Sequence, residues 1–131
     1  LLKVSPDLSH QQLDDIIDYC LRSGIDGIVA GNTTRSRDGI TSISKEKIEA
    51  IGNGGMSGAP IYKKNLELVK YVHAKSEGKL PIVGVGGIMS PEQAKEMMDA
   101  GASLVEIYSG FIYEGPALIK NINKHLENTN K

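Results

Sequence analysis

The sequence holds one cysteine, Cys20, which excludes an internal disulfide and favours a reduced, intracellular setting. No apolar run approaches the roughly 20 residues of a membrane-spanning helix, and no signal peptide is visible. Fifteen basic side chains face sixteen acidic ones, for a net charge of -1. Bulk charge therefore marks neither a nucleic acid nor an anionic membrane as partner. There is no metal-ligand cluster and no nucleophile beside a base. An initiating methionine is also missing. The opening Leu1-Leu2-Lys3-Val4 reads as the middle of a strand, so the chain is expected to be a piece of a longer protein.

What is present is an ordinary globular composition, 40% apolar and 24% charged, enough for one domain with a real core. One unit recurs four times: a short apolar run, a small or polar turn, then an amphipathic helix. That alternation predicts βα units on a parallel sheet. In the first, residues 1–4 form the strand, and Ser9 with Gln12 makes a capping box. Leu13, Ile16, Ile17, Cys20 and Leu21 then form one apolar stripe, ending at Gly24 in the left-handed C′ position. Asp14, Asp15 and Asp18 read as a solvated face. The second unit has a strand at 27–30, a Gly-, Ser- and Asn-rich loop over residues 35–60, and a helix carrying Leu66, Val69 and Val72. The third has a strand at 81–87 and a helix capped by Ser90, with Pro91 at its first position and Gln93 closing a box. The fourth has a strand at 104–108, then a helix from about Pro116 with Leu118, Ile119, Ile122 and Leu126, and a frayed tail at 128–131. Four units make half of a (β/α)8 barrel; a small open doubly wound sheet is the rival fold.

In either fold, function collects at the C-terminal strand ends. Gly86, Gly87, Ser109 and Gly110 suit a phosphate site, because glycine lets backbone N–H groups approach closely; the same glycines also suit tight βα turns. Gly84-x-Gly86 is no dinucleotide fingerprint, since Met89 stands where the third glycine belongs. Lys3, inside an apolar strand, points to solvent or, on the inner face of a barrel, needs an anion such as a phosphate or a reduced flavin ring. Asn32, Thr33 and Thr34 offer an amide and two hydroxyls to a small planar ligand, or simply make a turn. His10, His73 and His125 read as surface histidines, and Cys20 as core.

Five motifs in register extend this reading: Lys3-Val4-Ser5-Pro6-Asp7-Leu8, Asp26-Gly27-Ile28-Val29-Ala30-Gly31-Asn32-Thr33-Thr34, Gly54-Gly55-Met56-Ser57-Gly58-Ala59-Pro60, Pro81-Ile82-Val83-Gly84-Val85-Gly86-Gly87-Ile88, and the run from Gly101 to Phe111. Together they resemble the C-terminal half of dihydroorotate dehydrogenases, and Tyr108-Ser109-Gly110-Phe111 followed by Gly115-Pro116 is similar to the quinone-dependent class. The resemblance implies an α/β fold, with residues 1–131 as strands five to eight of an FMN-binding (β/α)8 TIM barrel. It implies oxidation of dihydroorotate to orotate in pyrimidine synthesis, with hydride passing to FMN and electrons to quinone. Lys3 would contact the flavin and favour its anionic reduced form. Gly31, Gly58, Gly86, Gly87, Tyr108, Ser109 and Gly110 would bind FMN, and Asn32 and Thr33 the pyrimidine. The pattern departs at Gly31, where the family often has threonine. The catalytic base, the quinone site and the membrane-associating helices would lie upstream, so the chain alone is expected to be inactive; a half-barrel also exposes two sheet edges and an apolar flank, so it is expected to self-associate. The whole protein would sit on the cytoplasmic side, peripheral to the membrane. Rival readings are a non-catalytic phosphate-binding or self-associating half-barrel, the soluble class of the same family, and the related domain of dihydropyrimidine dehydrogenase.

Overall fold

In the computed structural model, residues 1–38, 40–41 and 43–129 are described. Gly39 and Ser42 of the long loop, and the last two residues of the expected tail, lie outside them. Four parallel strands run in the order β1 (Leu2–Val4), β2 (Ile28–Ala30), β3 (Ile82–Val85), β4 (Leu104–Glu106). Sequential parallel order with a helix between neighbours is the barrel-wall arrangement, and it rules out the doubly wound alternative, whose strand order reverses at a switch point.

The register divides the sheet into two faces. Leu2, Val4, Ile28, Ala30, Ile82 and Val105 belong to the core beneath the helices. Their neighbours Lys3, Val29, Val83 and Leu104 share one row and face the other way, as do Val85 and Glu106. Edge strands three places apart in a flat sheet would be roughly 14 Å apart. Yet Lys3 Nζ on β1 and Glu106 Oε2 on β4 are separated by 3.8 Å. Their long side chains reach toward each other over one face, where residues from both edge strands line a common hollow, as expected for half of a (β/α)8 barrel wall with that face as its interior.

Helices cover the convex side. Helix α1 (His10–Ser23) starts at the expected Ser9–Gln12 box and ends at Gly24, with φ 74°. Its stripe buries Leu13, Ile17 and Cys20 but leaves Leu21 41% exposed, one residue beyond the edge of the contact. Asp14 is not simply solvated: it accepts hydrogen bonds from Tyr71 Oη at 2.7 Å and Lys75 Nζ at 3.1 Å, tying α1 to α3 (Tyr62–Lys75). His10 stacks on Tyr71 with ring centroids 4.3 Å apart. Helix α3 packs on β2 and β3 through Leu66, Val69 and Val72. Its Tyr62 hydroxyl donates to Glu96 Oε2 at 2.6 Å on α4 (Pro91–Asp99). The α4 box is only half formed: Ser90 caps Gln93 N, but Gln93 Oε1 accepts from Met89 N rather than from the cap. Fully buried Ile17, Ile28, Val69, Val72, Ile82, Ile88 and Met97 form the continuous centre, each contributing about 1.5–3 kcal/mol by leaving water.

Three elements depart from the sequence expectation. The 35–60 loop contains α2 (Lys45–Ile51) and a 3-10 turn at Ala59–Ile61. Helix α2 buries nothing, so it left no apolar periodicity to read. Residues after β4 form α5 (Ser109–Glu114) before α6 (Pro116–Thr129) begins where expected. Helix α6 carries Asn128 and Thr129 as well, so those two tail residues are helical. It buries Leu118 and Ile122 but leaves Ile119 43% exposed.

Candidate functional site

The C-terminal strand ends open into one cleft of about 520 Å³. Ile61, Val85, Ile88 and Ile107 make apolar walls. Asn32, Thr33, Ser57 and Ser109 supply an amide and three hydroxyls, Gly86 and Gly87 a stretch of bare backbone, and Lys3 and Glu106 the charges. Of the residues expected to bind, Lys3, Asn32, Thr33, Gly86, Gly87, Tyr108 and Ser109 line this cleft. Gly31, Gly58 and Gly110 do not. Gly58 backs it: a Cβ there would lie 3.8 Å from Ser109 Oγ.

Local geometry fixes what these groups can offer. Thr33 N donates to Asn32 Oδ1 at 2.9 Å, so the Asn32 carboxamide presents its NH2, a donor suited to a ligand carbonyl or carboxylate. Lys3 and Glu106 are each about half exposed at 3.8 Å, a screened pair that an anionic ligand would compete for. Gly31, Gly86, Gly87 and Gly110 have packing reasons for being glycine. A Cβ would sit 2.0 Å from Val85 O at Gly31, 2.2 Å from Asn65 Nδ2 at Gly86, 2.6 Å from Tyr62 N at Gly87 and 2.3 Å from Ile88 O at Gly110. The first three also have positive φ, at 128°, 110° and 80°. The tight-turn reading thus holds for Gly86 and Gly87, which present backbone to the cleft as well, whereas Gly110 lies within the helix that follows β4 and is glycine because it packs against Ile88 O.

The loop wall beside Asn32 is braced. Thr34 N donates to Met56 O and Met56 N to Thr34 O, an isolated antiparallel bridge. Arg37 donates to Thr34 O at 3.1 Å and also to Gly54 O. Asp7, from the β1 loop, takes Thr34 Oγ1, Arg35 N and Lys64 Nζ. Burial pushes the Asp7 carboxyl up, but those hydrogen bonds outweigh it and hold it down at about 2. Being depressed, it adds stability that is present above the ordinary carboxylate range and lost as pH falls through about 2.

Sequence reasoning missed Glu106, Ser57, Gly55 and Asn65. A signal existed for Gly55, in the Gly54-Gly55 pair: a Cβ there would meet Thr33 Oγ1 at 2.1 Å, so the glycine lets the loop lie on the cleft threonine. Asn65 is fully buried behind Gly31 and Gly86, and neither amide atom has a hydrogen-bond partner among the described residues. A buried unpaired amide is costly. Asn65→Leu, nearly isosteric, is therefore expected to raise stability by about 1–3 kcal/mol, read from denaturant midpoints at unchanged m-value.

A parallel βα wall with a polar-rimmed cleft at its C-terminal strand ends defines a barrel-type protein with a small-molecule site in the usual place for that fold. The family model described as dihydroorotate dehydrogenase matches residues 1–129, and the chain belongs to that family. It is 48% identical over 126 residues to a dihydroorotate dehydrogenase (quinone) of Christiangramia forsetii, covering 96% of this chain and 36% of the relative. It is 44% identical over 120 residues to one of Salinispora arenicola, covering 92% and 35%. The crystal structure of ligand-free type DHODH from Eimeria tenella superposes with a TM-score of 0.86 at 33% identity, covering 96% of this chain and 34% of that one. The chain thus spans about a third of the length of the relatives it matches. No helix among the described residues is long and apolar enough to cross a membrane.

Proposed function

We propose that residues 1–131 are one domain, the C-terminal half of a quinone-dependent dihydroorotate dehydrogenase barrel, and that this half grips FMN and part of the substrate. One observation carries the reading: residues scattered from Lys3 to Ser109, expected as a flavin and pyrimidine site, line a single cleft. The quinone class rests on relatives of that name. The cleft chemistry suits FMN. Apolar walls match a flat ring, Lys3 a negative charge on it, and Ser109 with the Gly86–Gly87 backbone a phosphate.

Bound FMN supplies the acceptor for the hydride that dihydroorotate gives up on becoming orotate. Lys3 sets a cation beside the ring. Asn32 donates its NH2, and Thr33 its hydroxyl, to the pyrimidine. Gly86, Gly87, Tyr108 and Ser109 hold the phosphate end, Gly58 supports Ser109, and Gly31 and Gly110 act through backbone. Glu106 is the carboxylate lining the cleft, and it faces Lys3. On the family resemblance, the proton acceptor, quinone access and attachment to the cytoplasmic membrane face are assigned to other parts of the whole protein.

The visible spectrum tests this. Yellow protein is expected when the chain is combined with the rest of its barrel and not from the chain alone; a whole protein that never binds flavin overturns the reading. The concave face and the β4–α5 flank also lack cover: Leu104 is 64%, Tyr108 75%, Ile112 67% and Tyr113 76% exposed, beside two open strand edges. The isolated chain is expected to self-associate, with light scattering giving masses above 14.1 kDa. A clean monomer over a wide concentration range contradicts it.

A further inference from the structure

Asp7 lies outside the cleft lining, yet it is the most heavily engaged carboxylate described. Its Oδ1 accepts from Thr34 Oγ1 and from Lys64 Nζ, both at 2.5 Å, and its Oδ2 accepts from Arg35 N at 2.8 Å. Lys64 Nζ also reaches Thr34 Oγ1 at 3.1 Å, and that hydroxyl accepts from Ser36 N at 3.1 Å. Thr34 is 2% exposed. The β1 loop, the β2 loop and α3 thus converge on one carboxylate. A loop aspartate that only needed solubility would need none of these partners. The consequence falls on Asn32 and Thr33. They hang between Ala30, held by the sheet, and Thr34, held by Asp7 and by the bridge to Met56. Where the Asn32 NH2 points depends on both ends of that short span.

We infer that Asp7 is a positioning residue: by holding Thr34 and Arg35 it sets Asn32 and Thr33 for the pyrimidine and bears less on the phosphate end of the cleft. This rests on the reading of Asn32 and Thr33 as the substrate contacts. The phosphate-end residues that line the cleft, Gly86, Gly87, Tyr108 and Ser109, lie on the β3 and β4 loops, and Asp7 reaches that end only indirectly, through the Thr34–Met56 bridge to the loop carrying Ser57 and Gly58, so the substrate end should respond the more strongly. In contrast, a merely structural Asp7 would loosen both alike.

The test uses the whole flavin-loaded protein with Asp7→Asn, which keeps shape but turns an acceptor of the Arg35 amide into a donor or a neutral oxygen. Amide hydrogen exchange at Thr34 and Arg35 is expected to quicken, and the Kd for orotate to rise about tenfold, with FMN retention changing much less. Lys64→Met, which removes one donor from a half-exposed position, should move orotate affinity the same way by less; it serves if Asp7→Asn does not fold. Unchanged exchange overturns the inference, as does FMN loss in step with orotate affinity. Faster exchange with an unchanged orotate Kd overturns it too, provided Asn32→Ala weakens orotate. If Asn32→Ala leaves orotate binding intact, the substrate reading itself has failed and the positioning role falls with it.

Discussion

Replacing Gly31 by alanine is expected to cost about 4 kcal/mol of stability, the largest single-residue effect we expect in this chain. Two penalties combine. The backbone sits at φ 128°, which L side chains rarely adopt, and the new Cβ would lie 2.0 Å from Val85 O, a strand carbonyl that cannot swing away. Gly24→Ala separates the two terms. Gly24 has φ 74° but nothing within 4 Å of a Cβ, so its cost is expected to be about 1 kcal/mol. Thermal or denaturant unfolding of the two variants side by side measures the difference; equal losses would show that the β2–β3 contact is not as tight as described. The same geometry bears on the family pattern. Threonine at this position, which the resemblance would lead one to expect, should destabilise as well, because its branched side chain meets the same carbonyl. If Gly31 contacts flavin, it does so through its backbone.

Lys3→Ala in the whole protein is expected to slow flavin reduction by dihydroorotate about 10²-fold, the usual effect of removing one group that stabilises developing charge. Stability should change by no more than about 0.5 kcal/mol, because Lys3 is half exposed and its one ion pair is screened. Stopped-flow bleaching of the flavin against a thermal melt reads both quantities, and reduction kinetics equal to those of the unaltered protein would remove Lys3 from the site. Glu106→Gln gives the sign control. It releases the cation from its facing carboxylate, so reduction should become easier rather than harder.

Much of the wall was legible because its signals are local. Ser9, Gln12 and Gly24 bound α1 where capping chemistry demands, and Ser90 and Pro91 start α4 in the same way. The stripe through Leu13, Ile17 and Cys20, like that through Leu66, Val69 and Val72, records which side of a helix leaves water. Helix α2 was not legible because it buries nothing, and α5 because six residues that include Gly110 and run into Gly115 look like a turn. Leu21 and Ile119 sit on apolar stripes yet remain exposed, since stripe width is set by the neighbouring helix and not by the helix itself.

Local chemistry in the sequence determined the four βα units, their helix caps and the polar strand ends that would carry a ligand. Recognition of the motifs in register added which small molecule those ends suit. Only the tertiary structure decided the contacts made across long separations in the chain. Lys3 and Glu106 came to face each other over one side of the sheet, β3 came up against Gly31, and Asp7 closed onto Thr34 and Lys64. Capping and periodicity act over a few residues and so are written where they act. A carboxylate on β4 facing a lysine on β1 depends on the path of the whole sheet, and no short stretch of sequence encodes it.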